Sequence, residues 1–351
     1  MDLNHLENLT EIDPENMIGE IDSLPEQLED AWTLGLGQPL PQMSPINLVV
    51  IAGMGGSAIG GDLLAGVVSD RSPVPLIVQR DYNLPAYANG RESLVIVSSH
   101  SGNTEESLSA LSAAIQNRCQ VVAISTGGKL HTIAEQSGIS TWTFDHKGQP
   151  RAAVGYSFGL LLAMMVRLGL ISDPSSEVDA AVTVMREQKK QITTSVPVNQ
   201  NPAKRLAGQM MGRDVTVFGA GHLAAAARRW KTQINELAKA QAAFEFLPEA
   251  DHNTLAGTCN PEKVLEQTFK IFLQSNLDHP RNVLRSQLTR ESFMQQGINT
   301  DFYMAKGESK IQQMWSAVQF GDYTAYYLAL AYDTDPTAIA PISALKEKMS
   351  H

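Results

Sequence analysis

Short, continuous apolar runs alternate with longer amphipathic stretches through the first half of the chain. INLVVIAG, PLIVQRDY, SLVIVSS, CQVVAIS and STWTFDH each predict a strand. GGSAIGGDLLAGVVSD, EESLSALSAAIQNR and KLHTIAEQSG predict helices among them. Strands that are unbroken Val/Ile/Leu runs belong in a parallel sheet covered on both faces. Upstream, apolar residues recur at helical spacing from Leu24 to Leu36 before GLGQPLPQ breaks the pattern. Downstream, residues 152–171 predict a long apolar helix, interrupted by Arg167, that reads as a core or subunit-interface helix rather than a membrane span. Residues 172–205 are polar and mostly helical in pattern. At RDVTVFGAGH a second strand–helix block opens. Val49-Val50-Ile51-Ala52-Gly53-Met54-Gly55 returns loosely there as Val215-Thr216-Val217-Phe218-Gly219-Ala220-Gly221, a diverged internal repeat. The expected organisation is a helical segment over 1–45, a first lobe over 46–170, a helical connection over 171–212 and a second lobe over 213–351. The fold class is α/β: two lobes, each a parallel sheet flanked by helices, of the doubly wound, flavodoxin-like kind.

Composition narrows the partners. The chain has 351 residues, 43% hydrophobic and 18% charged, enough for two lobes with real cores. With 27 basic against 37 acidic residues its formal charge is −10, which disfavours nucleic acid and anionic membrane as partners but not a small anion held locally. Two cysteines, Cys119 and Cys259, offer neither a disulfide framework nor zinc spacing, and a reducing cytoplasm is the expected location. The N-terminal stretch is polar and acidic, unlike a signal peptide.

Two strands end in loops rich in small residues. Gly53-Met54-Gly55-Gly56-Ser57-Ala58 meets the dinucleotide fingerprint only if Ala58 takes the last glycine's place, and no acidic partner stands where that motif needs one. It also lacks the Gly-Lys-Ser/Thr end of a P-loop. The other loop, Ser98-Ser99-His100-Ser101-Gly102-Asn103-Thr104, carries more hydrogen-bonding groups than a turn uses. Both loops open helices, whose N-termini suit an anion. Ser57, Ser99, Ser101 and Thr104 add hydroxyls, and Gly55, Gly56 and Gly102 let a ligand approach the backbone. Such a nest fits one phosphate end rather than a dinucleotide. The alternative is that Ser101 or Asn103 merely caps the helix beginning near Glu105.

GMGGSAIGG and SSHSGNTEES resemble the two phosphate loops of the sugar isomerase (SIS) domain. RWKTQINELAK, FLPEADHNTLAG and DPTAIAPISALKEKM are similar, in order, to segments of the bifunctional phosphoglucose/phosphomannose isomerases of archaea and bacteria. The resemblance runs from about residue 45 to the C-terminus. One departure is His100, where that family usually has a tyrosine.

The resemblance implies an aldose–ketose isomerase acting on a phosphorylated hexose through an enediol, without cofactor or metal. Fructose 6-phosphate would exchange with glucose 6-phosphate and mannose 6-phosphate, in central carbohydrate metabolism such as glycolysis and gluconeogenesis. Glu236, among apolar and amide neighbours, takes the place of the base that moves the proton between C1 and C2; read alone, it has the commoner fate of an exposed helix carboxylate paired with Lys231 or Lys239. His252, in a polar turn, matches the ring-opening histidine, which in the family reaches the neighbouring subunit's site and so implies a homodimer; read alone, it is a surface residue beside a helix cap. Arg151 matches a substrate-contacting arginine that steadies the enediolate, and a buried salt bridge would account for it equally. Lys346 matches the lysine assisting ring opening, with Lys348 as its competitor. Thr337 stands near the family's threonine at the sugar C2 end, or is a helix cap. Phosphate falls to Gly55, Gly56, Ser57, Ser99, Ser101 and Thr104. The competing expectations are a non-enzymatic phosphosugar-binding protein and an isomerase of a different phosphosugar. A glucosamine-forming amidotransferase lacks its cysteine and glutaminase domain here, and an NAD-dependent dehydrogenase is disfavoured by the hydroxyl-rich loop.

Overall fold

The computed structural model describes residues 3, 4, 6 and 9–349, so part of the polar N-terminal stretch read above lies outside the described residues. The chain divides into two compact units. The first comprises Ser23–Val184 and Gly307–Met314; the second comprises the residues up to Asp22, Met185–Lys306 and those from Trp315 on.

In the first unit β1 (Leu48–Ala52), β2 (Leu76–Gln79), β3 (Ser93–Ser98), β4 (Gln120–Ser125) and β5 (Ser140–Thr143) form one sheet. All four pairings are parallel and the order is β2-β1-β3-β4-β5. These are the five strands the apolar runs predict, and the order is the flavodoxin-like one. Its direction of winding reverses between β1 and β3, which opens a crevice at their carboxyl ends. Upstream lie α1 (Leu9–Ile12), α2 (Met17–Asp22) and α3 (Leu24–Gly37), of which α3 belongs to this unit. Helix α4 (Gly55–Val68) leaves β1, α5 (Glu105–Gln116) leaves β3 and α6 (Gly128–Gln136) leaves β4. One side of the sheet buries Val50, Ala52, Val95 and Val97 against Leu111 and Leu130 from α5 and α6.

The long apolar stretch forms a 3-10 turn, Pro150–Ala152, and α7 (Val154–Arg167). Its apolar surface is used up inside the unit, so the subunit-interface reading of this helix does not hold. Leu160, Leu161, Leu162, Met164 and Met165 are fully buried. Each such side chain stabilises the fold by about 1.5–3 kcal/mol relative to exposure. Glycines let α3 approach closely: a Cβ on Gly155 would lie 2.6 Å from Cβ of Gln27, and one on Gly159 would lie 2.6 Å from Cβ of Ala31. Arg167, the interruption in the pattern, sits in the last turn. Its guanidinium donates to the Gly35 carbonyl at 3.1 Å and to that of Gln38, at the end of α3.

In the second unit β6 (Asp214–Ala220), β7 (Ala242–Leu247), β8 (Thr268–Gln274) and β9 (Asn299–Met304) form a parallel sheet in the order β7-β6-β8-β9. This repeats the first four positions of the other sheet, as the internal repeat in the sequence suggests. The later helices are α8 (Ser175–Ile192), α9 (Pro202–Met210), α10 (Leu223–Leu237), α11 (Glu262–Leu265), α12 (Pro280–Gln295), α13 (Lys310–Ala331) and α14 (Ala340–Met349). A buried bidentate pair joins α10 to α13: Arg229 Nε and Nη2 reach the Asp322 carboxylate at 3.1 and 2.7 Å. Burial pushes the Asp322 carboxyl up, and the guanidinium opposes that shift. The N-terminal segment docks here too, because Tyr326 on α13 donates to Asp13 at 3.0 Å. Among the described residues no helix is long and apolar enough to cross a membrane.

Candidate active site

At the β1/β3 crevice both helices begin without a side-chain cap. Met54 precedes α4 and Thr104 precedes α5, and neither side chain bonds to the helix it opens. The capping alternative for Ser101 and Asn103 therefore fails. The Ser101 hydroxyl instead accepts from the Asn103 amide at 3.2 Å, inside the loop. Uncapped amides at a helix N-terminus carry partial positive charge and await an acceptor.

The two loops are locked to each other. Ser57 Oγ accepts from the His100 amide at 3.2 Å. Ser99 Oγ donates to Thr104 Oγ1 at 3.0 Å, spanning the second loop. Gly102 has φ +65, and a Cβ there would lie 1.8 Å from the Gly127 carbonyl oxygen, so only glycine fits. The Thr126 hydroxyl donates to the His100 carbonyl at 2.8 Å and fastens the loop from the β4 side. Gly55 has φ +49, and a Cβ on it would meet no neighbouring group within 4 Å, so that backbone is open to approach.

Arg151 belongs to the same place. It is 3% exposed, in the 3-10 turn that lies against the first loop. A Cβ on Gly56 would come within 2.3 Å of the Pro150 carbonyl oxygen and 3.1 Å of the Arg151 amide. Gly56 therefore also serves this close packing, whereas the space beside Gly55 is open. His100 turns its ring into an aromatic group. Its Nε2 lies 2.9 Å from His146 Nδ1, and its ring meets Phe144 edge-on, with Phe144 stacked on Tyr156.

The other predicted residues lie in the second unit. Glu236 is half-buried in the last turn of α10. That helix end is tied to the Thr337 loop, since Lys239 Nζ donates to the Leu237 carbonyl at 3.1 Å and to that of Asp335. The Asp335 carboxylate in turn accepts from the Thr337 amide at 2.7 Å, and Thr337 is 2% exposed. Glu236 and Thr337 are therefore carried by two segments held to each other.

His252 ends a 3-10 turn, Glu249–His252, and is exposed. The cap beside it is Asn253, whose side chain accepts from the Thr254 amide at 2.6 Å. The turn is clamped from below by Asp251, whose carboxylate accepts from Arg285 at 2.8 Å and from the Thr289 hydroxyl at 2.7 Å, both on α12. Sequence reasoning passed over this clamp because its partners lie more than thirty residues away. Lys346 and Lys348 are exposed on α14, a helix with no buried residue. Among the described residues no three His, Cys, Asp or Glu side chains gather in a way that could hold a metal.

Residues 199–349 match the bacterial phosphoglucose isomerase C-terminal SIS domain. A bifunctional phosphoglucose/phosphomannose isomerase of Caldicellulosiruptor bescii is 39% identical over 95% of this chain and 99% of its own length. One from Aquifex aeolicus is 31% identical over 88% of this chain and 92% of its own. In fold, the chain is similar to tagatose-6-phosphate ketose/aldose isomerase from Escherichia coli, with a TM-score of 0.70, 16% identity and coverage of 92% and 94% of the two chains. Identity of this extent along nearly the whole chain places the protein in the family of bifunctional phosphoglucose/phosphomannose isomerases.

Proposed function

We propose that this protein interconverts fructose 6-phosphate with glucose 6-phosphate and mannose 6-phosphate by proton transfer between C1 and C2. The observation that carries the reading is the pair of uncapped helix N-termini at the β1/β3 crevice, locked by the Ser57–His100 bond beside Arg151. That arrangement suits a phosphate, and the family membership supplies the reaction class.

In this reading the backbone at Gly55 and Gly56 and the hydroxyls of Ser57, Ser99, Ser101 and Thr104 hold the phosphate. Two helix dipoles favour the dianion. Glu236 abstracts the proton from C2 of the open-chain aldose and returns it to C1. Arg151 neutralises charge developing on the enediolate oxygens; a guanidinium keeps its charge even when buried. His252 and Lys346 open the ring, one taking a proton from the O1 hydroxyl as the other gives one to the ring oxygen. Reprotonation of the planar enediol on either face at C2 gives the glucose or the mannose configuration, with Thr337 beside that end. The exposure of His252 and of the whole of α14 supports a homodimer, in which His252 serves the partner's site. A cytoplasmic place in central carbohydrate metabolism follows from the same reading.

The test is a coupled assay on EDTA-treated protein, offering glucose 6-phosphate and mannose 6-phosphate separately and detecting fructose 6-phosphate. Turnover of both is expected. Turnover of neither, with a phosphosugar still raising the melting temperature, would replace the isomerase with a sensor or an enzyme for another phosphosugar.

A further inference from the structure

The second lobe repeats the backbone of the first at the place where the first has its loops. Gly55 and Gly221 both have φ +49. Each follows a strand flanked by two others, β1 and β6. Ala52 pairs with Val97 where β1 meets β3, and Phe218 pairs with Phe272 where β6 meets β8. The loop after β8 thus corresponds to the loop after β3.

One contact separates the two places. The backbone at Gly55 is open, whereas a Cβ on Gly221 would lie 2.5 Å from Asp278 Oδ1. A carboxylate therefore stands over the second glycine loop. Its side chain is 6% exposed and lies 3.7 Å from Nδ1 of the buried His222. A phosphate brought there would meet a like charge at close range in a partly desolvated site.

Next to Asp278 is a cavity of about 210 Å³ at the carboxyl ends of β6 and β8. Parallel α/β sheets bind ligands at such a switch point. Ser275, Asn276 and Asp278 give the lining polar groups, and Leu273, Val283 and Met304 give it apolar surface. Arg290 also reaches it, with its guanidinium 4.6 Å from the Phe302 ring. The Arg290 Nε is buried and has no hydrogen-bond partner.

We propose that this cavity is a second small-molecule site, for an uncharged polyhydroxylated ligand of hexose size. Its polar groups meet hydroxyls in both senses: the Asp278 carboxylate accepts and the Arg290 guanidinium donates. Its apolar lining residues suit the C–H groups of a sugar ring. Asp278 gives it a charge preference opposite to that of the first lobe's loops. The first lobe selects the phosphorylated sugar, and the second selects a sugar without phosphate. All of these cavity residues belong to the second lobe, and the site does not depend on the isomerase reading.

The experiment is calorimetric titration with glucose, then mannose, in saturating inorganic phosphate to fill the first lobe's loops. Three proteins are compared: wild type, Arg290→Ala and Val283→Phe. Val283 is 45% exposed, so a larger side chain there fills the cavity without disturbing the core. Saturable binding of one hexose per chain is expected, weakened at least tenfold in both variants, with kcat/KM for any phosphosugar turnover unchanged. The absence of saturable binding would overturn the proposal. So would equal affinity in all three proteins, or loss of hexose binding when fructose 6-phosphate is added.

Discussion

Ser57 accepts a hydrogen bond from the His100 amide at 3.2 Å, so a hydroxyl at the start of α4 fixes the loop that precedes α5. One side chain thereby sets the spacing of two anion-attracting helix ends. Ser57→Ala removes both that bond and a hydroxyl. A hydrogen bond to a charged group contributes about 1.5–3 kcal/mol, which converts to roughly 10–100-fold in affinity. The variant is expected to raise KM for phosphosugars by that factor with kcat nearly unchanged. An unaltered KM in steady-state kinetics would remove Ser57 from phosphate binding.

Gly102 is the tightest point of the second loop. Alanine there would be placed at φ +65 and driven into the Gly127 carbonyl oxygen. Strain of this sort costs about 1–3 kcal/mol before the clash is counted. Gly102→Ala should lower the melting temperature by several degrees and abolish protection by phosphosugar. Gly55→Ala has open space around the added methyl but the same unfavourable sign of φ, so it should cost less stability while still weakening phosphate binding. Equal thermal stability of the wild type and Gly102→Ala would contradict the packing described.

Much of this fold is legible along the chain because its signals are local. The five runs of the first unit are the five strands, and the unbroken apolar character of β1, β3 and the end of β4 reports burial on both faces, while the edge strands β2 and β5 are only partly buried. The glycine and hydroxyl loops mark the crevice because special backbone conformations need special residues. What stayed hidden depends on contacts between distant segments. Gly56 looks like a phosphate glycine, yet it is also required by the Pro150 carbonyl. The apolar helix 152–171 carries no mark of its partner, and α3 lies more than a hundred residues upstream. Asp278 over Gly221 and Arg285 beneath Asp251 are likewise products of the folded sheet.

The Asp251 clamp yields a test of His252. Arg285→Leu and Thr289→Val each remove one of the two donors that hold the carboxylate under the His252 turn. If that turn positions a ring-opening group, each variant should lower kcat/KM about tenfold, and Arg285→Leu should add little to His252→Ala, since coupled residues are non-additive. Arg285→Lys should restore part of the loss. Fully additive effects in the double-mutant cycle would make the clamp purely structural.

Lys270, on β8, is largely buried, with its ammonium 5.2 Å from the Phe293 ring centroid and 5.7 Å from that of Phe218. Burial lowers its pKa, an effect that Asp214 and Glu245 oppose. A folded-state pKa below the unfolded one means that the unfolded chain holds the proton more tightly. The group's stability cost is therefore present at neutral pH and is relieved as pH rises from the folded pKa towards the ordinary lysine value of about 10.4. Lys270→Met should equal or exceed the wild type in stability at pH 7, and its advantage should shrink by pH 10. Urea denaturation at both pH values reads this out, and an advantage that grows with pH would contradict it.

Glu236 has the central role in the proposed reaction, as the group that carries the proton between C1 and C2. The most direct measurement compares wild type with Glu236→Gln for fructose 6-phosphate formation from glucose 6-phosphate and mannose 6-phosphate, alongside thermal protection by fructose 6-phosphate. Loss of a general base costs about 10²–10⁴-fold. A loss of that size is expected with both substrates, with protection within a degree of wild type. Turnover of either substrate within tenfold of wild type would contradict that role.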